Sequence, residues 1–95
     1  MITVSRYDGG VSIKGHAGYA PHGQDVVCAA VSALVQGFYL SVMELTHDKI
    51  KAEMKPGEAV IQYGDLSKEA TLLVSSLFVG LKMIADEFPD CVRVE

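Results

Sequence analysis

Tryptophan is absent from this chain of 95 residues, and proline occurs three times and cysteine twice. Two cysteines, Cys28 and Cys91, are too few to staple a disulfide scaffold, so a fold of this size must rely on an apolar core. Basic residues are scarce as well. Eight Lys and Arg stand against twelve Asp and Glu, a formal net charge of −4. That balance lacks the basic excess of a nucleic-acid binder. No run of like charges marks a membrane-surface patch. The opening residues, Met1-Ile2-Thr3-Val4-Ser5-Arg6, lack the charged-then-apolar order of a secretory leader. A cytoplasmic protein with reduced thiols is expected.

Apolar side chain is what the chain has in quantity: 49% of residues are hydrophobic and 21% charged. This composition excludes intrinsic disorder and suits one globular domain, residues 1–95, around one core. The longest apolar run, Val26 to Met43, is broken by Ser32, Gln36, Gly37 and Ser41. A membrane span needs about 20 predominantly apolar residues. The run is at the short limit and is flanked by strand patterns that need cover. It reads as a buried central helix, and no membrane partner is expected.

Met1 to Tyr7 alternates in polarity, Asp8-Gly9-Gly10 is a tight-turn signal, and Val11 to Lys14 resumes the alternation. Together they predict a β-hairpin. Gly15 to Gln24, with Gly15, Gly18, Pro21 and Gly23, breaks every periodicity and reads as a loop. Asp25 opens the long helix, which runs to about Leu45. Lys49 to Lys55 alternates charged and apolar residues, as a strand with one wet face does. Pro56-Gly57 turns the chain into a return strand from Glu58 to Tyr63. Asp65 or Ser67 caps a second helix, whose stripe is Leu73, Leu77, Leu81, Ile84 and Phe88. Pro89 stops it, and Cys91 to Glu95 forms a short last strand. The predicted fold is α+β in ββαββαβ order: a mostly antiparallel sheet with both helices packed on one face. Ala30, Ala33, Gly37 and Ser41 form a small-residue stripe on the first helix, open to close approach by the second helix or by the same helix of a second subunit.

The chemistry-bearing stretch is Gly15-His16-Ala17, a loop, then Asp25-Val26-Val27-Cys28-Ala29-Ala30-Val31-Ser32. Cys28 falls in the first helical turn, where free backbone N–H groups and the helix dipole stabilise a thiolate and can also hold an oxyanion. An imidazole nearby helps form that thiolate and protonates a leaving amine. His16, at a strand end, is a firmer mount for this task than His22 inside the loop. Asp25 suits either a helix cap or an orienter of the imidazole. Ser32, one turn after Cys28, suits either a bond to the sulfur or one back to the Cys28 carbonyl. A zinc site from His16, His22 and Cys28 matches no common ligand spacing, so neither metal nor cofactor is expected. His47 reads as a charge partner of the first helix's C-terminus, and Cys91 as a buried, inert thiol.

These residues resemble the ribosomal-processing cysteine proteases, the Prp family. The family's pattern is a Gly-His-Ala triplet, a glycine-containing loop, and Asp-hydrophobic-Val-Cys-Ala followed by a small residue and a nearby serine. The histidine-to-cysteine interval agrees too, with eleven residues between them. The resemblance implies an α+β homodimer with His16 as base and Cys28 as nucleophile, and Asp25 and Ser32 in support. It also implies removal of a short N-terminal extension from a large-subunit ribosomal protein, with the 18–24 loop closing over the peptide. Tyr19, Pro21 and His22 in that loop are candidate substrate contacts, and Tyr19-Ala20-Pro21-His22 is where this chain departs most from the pattern. The competing expectation is a non-catalytic dimeric peptide-binding or ribosome-assembly module that holds such a peptide without cutting it.

Overall fold

The computed structural model describes residues 1–21 and 24–95. The elements are β1 (Ile2–Tyr7), β2 (Gly10–Lys14), α1 (Val26–Leu45), β3 (Lys51–Lys55), β4 (Glu58–Gln62), α2 (Lys68–Glu87) and β5 (Val92–Val94). The ββαββαβ order and the α+β class are as the sequence predicts. The strands form one sheet in the order β3-β4-β2-β1-β5. Three pairings are antiparallel, and β5 lies parallel to β1.

Alternation in the strands sorts the two faces of the sheet. Ile2, Val4, Val11, Ile13, Ile61 and Val92 are buried on the helix side, while Thr3, Ser5 and Ser12 stay partly open on the other. Helix α1 sets Val27, Val31, Val35, Phe38 and Val42 against the sheet, and α2 sets Ala70, Val74, Leu77, Phe78, Leu81 and Ile84. These residues make one continuous core. The Arg6 guanidinium lies 5.2 Å from the centre of the Phe78 ring, joining β1 to α2. Thus α1, though long and apolar enough to cross a membrane, is the helix that covers the sheet.

Several boundaries move. Strand β3 starts at Lys51, with Ile50 buried just ahead of it, and β5 omits Cys91 and Glu95. Ser67, not Asp65, caps α2, its hydroxyl accepting from the Ala70 amide. Leu73 and Phe88 are half-buried at the margin of the α2 stripe, while Val74 and Phe78 complete it. Asp48 ties the helices together: its carboxylate accepts from both the amide and the hydroxyl of Ser67.

Two expectations about cover fail. The apolar face of β3 is only partly covered: Ala52 packs against the core, but Met54 is 44% exposed. Helix α2 packs toward the β5 edge, and β3, the opposite edge strand, has only α1 beside it with a cleft between them. Nor does α2 fill the small-residue stripe. Ala30, Ala33 and Gly37 remain exposed, because the helices approach at Gly80 instead, where a Cβ would lie 3.0 Å from a Leu34 methyl.

Candidate active site

The site forms where the end of β2 meets the start of α1. Gly15 leaves β2 at φ +100°, and a Cβ there would run into the Met1 carbonyl oxygen. Glycine alone fits both demands. Its amide donates to the Gly57 carbonyl at 2.8 Å, fastening the strand end to the β3–β4 turn. His16 follows, exposed, and Ala17 is buried in the core. Burying that methyl aims the Ala17 amide at Cys28, whose Sγ accepts its hydrogen bond at 3.3 Å. The Gly-His-Ala triplet is therefore a turn that only glycine makes, a free imidazole and a small anchor that aims an amide at sulfur.

Asp25 resolves as a cap and as a clamp on the loop. Its Oδ1 accepts from the amides of Val27 at 3.0 Å and Cys28 at 2.9 Å. Its Oδ2 accepts from the amides of Tyr19 at 3.0 Å and Ala20 at 3.4 Å. The Cys28 amide foremost holds the carboxyl below the usual aspartate value; burial opposes it, and the amides of Ala20, Tyr19 and Val27 add to the lowering. Among the described residues Asp25 makes no bond to an imidazole, so the orienter reading is not what this arrangement shows. The expectation of free first-turn amides also needs correction. Asp25 occupies those of Val27 and Cys28, and the sulfur receives the Ala17 amide in their place.

His16, Gly18, Ala20, Asp25, Cys28, Ala29 and Ser32 line one pocket of about 400 Å³. The fold thus brings together all four residues of the motif. Cys28 is half-buried and reachable, and both cysteines are free thiols. Ser32 is exposed on the pocket wall; among the described residues it bonds neither the sulfur nor the Cys28 carbonyl. The His16 ring makes no hydrogen bond to Cys28 either, and it rests against Gly57. Tyr19 does not face this pocket. Its ring meets Phe88 edge-on, with centroids 5.5 Å apart, at the end of α2. Pro21 is exposed and outside the lining. His22, and with it the zinc alternative, lies outside the described residues.

Sequence reasoning missed a second hollow. Ile13, Val31, Val35, Met54 and Ala59 floor a cleft of about 330 Å³ between α1 and the β3–β4 hairpin, with Gln36, Lys55 and Glu58 at its edges. Ser32 lines both this cleft and the cysteine pocket, so the two lie side by side. The uncovered Met54 face of β3 made the cleft, and periodicity in one strand carries no information about which neighbour is missing.

Residues 1–93 match the family described as Cysteine protease Prp. The chain belongs to that family. The Prp of Staphylococcus aureus strain Mu50 is 30% identical over 87 residues, covering 88% of this chain and 82% of that protein. The Prp of Bacillus subtilis strain 168 is 29% identical over 89 residues, covering 86% and 80%. The Staphylococcus aureus Prp crystal structure with a covalently linked product peptide superposes with a TM-score of 0.92 at 29% identity, covering 100% of this chain and 98% of that one. The same protease with a substrate peptide gives a TM-score of 0.83 at 25% identity, covering 99% and 95%. The chain is thus a cysteine protease of the ribosomal-processing family, and the non-catalytic alternative gives way.

Proposed function

We propose that this Prp-family protease removes the N-terminal extension of a large-subunit ribosomal protein precursor, with Cys28 as nucleophile and His16 as general acid and base. The observation that carries this reading is the single pocket shared by His16, Asp25, Cys28 and Ser32, with an apolar cleft adjoining it at Ser32. A reachable thiol, an imidazole on a strand end and a trough for an extended peptide are what acyl transfer to sulfur requires. The relatives' names and the peptides bound to the Staphylococcus aureus structures support the same substrate class.

The Cys28 thiolate, supported by the Ala17 amide, attacks the scissile carbonyl. A sulfur–carbon bond forms as the carbonyl π pair moves to oxygen. The pair returns, the carbon–nitrogen bond breaks, and His16 gives its proton to the leaving amine. Water then adds to the thioester while His16 takes its proton, and collapse releases the acid and the thiolate. Asp25 acts indirectly, by holding the Tyr19-Ala20 segment over the α1 N-terminus. Ser32 supports the site from the wall that pocket and cleft share. The chemistry needs a reduced thiol and calls on no cofactor, which suits the cytoplasm. The open α1–α2 surface suits a homodimer.

The test is incubation with precursor ribosomal protein, read by intact mass. Cys28→Ser should abolish the mass loss and His16→Ala should reduce the rate by about 10²- to 10⁴-fold, the range of general acid–base catalysis. Undiminished turnover by purified Cys28→Ser rejects the mechanism. His22→Ala should be milder than His16→Ala; equal damage would reassign the base.

A further inference from the structure

The ends of β3 and β4 meet at a turn that touches the base, and we infer that Gly57 in this turn is a positioning residue for His16. The inference rests on His16 being the base. Three ring atoms crowd the place where a Gly57 side chain would begin: a Cβ there would sit 2.9 Å from His16 Nε2, 3.5 Å from Cε1 and 3.6 Å from Cδ2. The imidazole edge therefore occupies the volume that any other residue's Cβ would take. The backbone holds the two together independently, through the 2.8 Å bond from the Gly15 amide to the Gly57 carbonyl. His16 is exposed and its ring has no hydrogen-bond partner among the described residues, and the ring edge lies beside the Gly57 backbone with no side chain between them. A side chain at position 57 pushes the ring off this shelf and changes its approach to the sulfur across the pocket they share. The same hairpin supplies Met54, Lys55, Pro56, Glu58 and Ala59 to the neighbouring cleft, so one element both borders the peptide trough and seats the base.

Gly57 also has φ +77°, so a substitution can act through backbone strain alone. Asn separates the two effects, because it tolerates the left-handed region while still adding a Cβ. The readout is the rate of Cys28 alkylation by iodoacetamide across pH, mapped by peptide mass with Cys91 as internal reference; it needs no peptide substrate. Gly57→Asn should slow Cys28 alkylation at neutral pH about tenfold, a fraction of what full loss of a base costs, and flatten its pH dependence toward that of His16→Ala. In the His16→Ala background, Gly57→Asn should add nothing, since a residue acting through His16 has no route once the ring is gone. An unchanged profile, or an effect that persists undiminished without His16, overturns the inference. If His16→Ala itself leaves the alkylation profile unchanged, the base assignment falls and this inference with it. A response to His16→Ala but not to Gly57→Asn removes this inference alone. Should Gly57→Asn fail to fold, the parent protein decides. A nuclear Overhauser contact between the His16 Hε1 and Gly57 α-protons should be present, and its absence overturns the placement.

Discussion

Asp25 shows how one residue can be legible in type and illegible in role. An Asp ahead of an apolar helix predicts a cap, and an Asp near a histidine and a cysteine predicts an orienter. What decides between them is which amides return to it. Gly18, at φ +72°, folds the loop so that the Tyr19 and Ala20 amides reach Oδ2 while the helix amides take Oδ1. No local spacing encodes that return. The arrangement separates two substitutions. Asp25→Asn keeps an oxygen for the helix amides but turns a donor toward the loop, so it should spare most of the thermal stability while slowing cleavage. Asp25→Ala should lower both, with the unfolding midpoint falling by several degrees, as for a lost cap. Equal midpoints for the two variants would show that the cap and the clamp are not separable. The pH dependence has a definite sign. The carboxyl is held below its ordinary value of 3.8 in the folded state. Its stabilising contribution is therefore complete above that value and fades as pH falls through the lowered one. The midpoint difference between the parent and Asp25→Ala should shrink between pH 5 and about pH 2 (thermal scans at each pH), and a constant difference would count against the charge-assisted bonds.

At the scale of elements, alternation and helical spacing carried most of the information. The hairpins, both helices and their order follow from period and turn residues, whereas the stripe of buried valines on α1 emerges only in the fold, because that helix is apolar almost all round. Cover did not follow. Met54 and Ala52 look like core positions in the pattern Lys-Ala-Glu-Met-Lys, yet Met54 lines the cleft and Ala52 is only partly buried, because β3 is an edge strand. Exposure of this face gives a test of the cleft's part in the reaction. Met54→Lys should leave folding unchanged and raise KM for the precursor by roughly ten- to a hundredfold, the loss expected when an apolar contact worth ~1.5–3 kcal/mol is removed, with kcat little altered. A fall in kcat at constant KM would place Met54 outside peptide binding. Core positions behave in the opposite way. Leu81 on α2 is fully buried, so Leu81→Ala should cost about 2–5 kcal/mol of unfolding free energy in urea titration, without a specific effect on KM in the fraction that stays folded.

For the whole molecule, the sheet order is the least legible feature. The parallel lodging of β5 beside β1, with the Ile2 amide bonded to the Cys91 carbonyl at 2.7 Å, depends on where α2 delivers the chain, and the three residues of β5 say nothing of it. The molecule also keeps an apolar surface that its own core does not use. Leu72, Val79 and Met83 are 70%, 72% and 61% exposed along one side of α2. A shallow trough between the helices is lined by Ala33, Gly37, Ser41, Leu73 and Ser76. Large side chains beside a floor of small ones fit self-association better than solvation. Sedimentation equilibrium should give twice the chain mass for the parent at micromolar concentration. Val79→Glu puts two like charges near the symmetry axis, if Val79 lies there, or one into an apolar contact if it does not. Either placement weakens the pair, so the variant should sediment as a monomer with an unchanged far-ultraviolet circular dichroism spectrum. A monomeric parent, or a Val79→Glu dimer as tight as the parent, would remove the helical face as the interface and leave those three side chains without a partner.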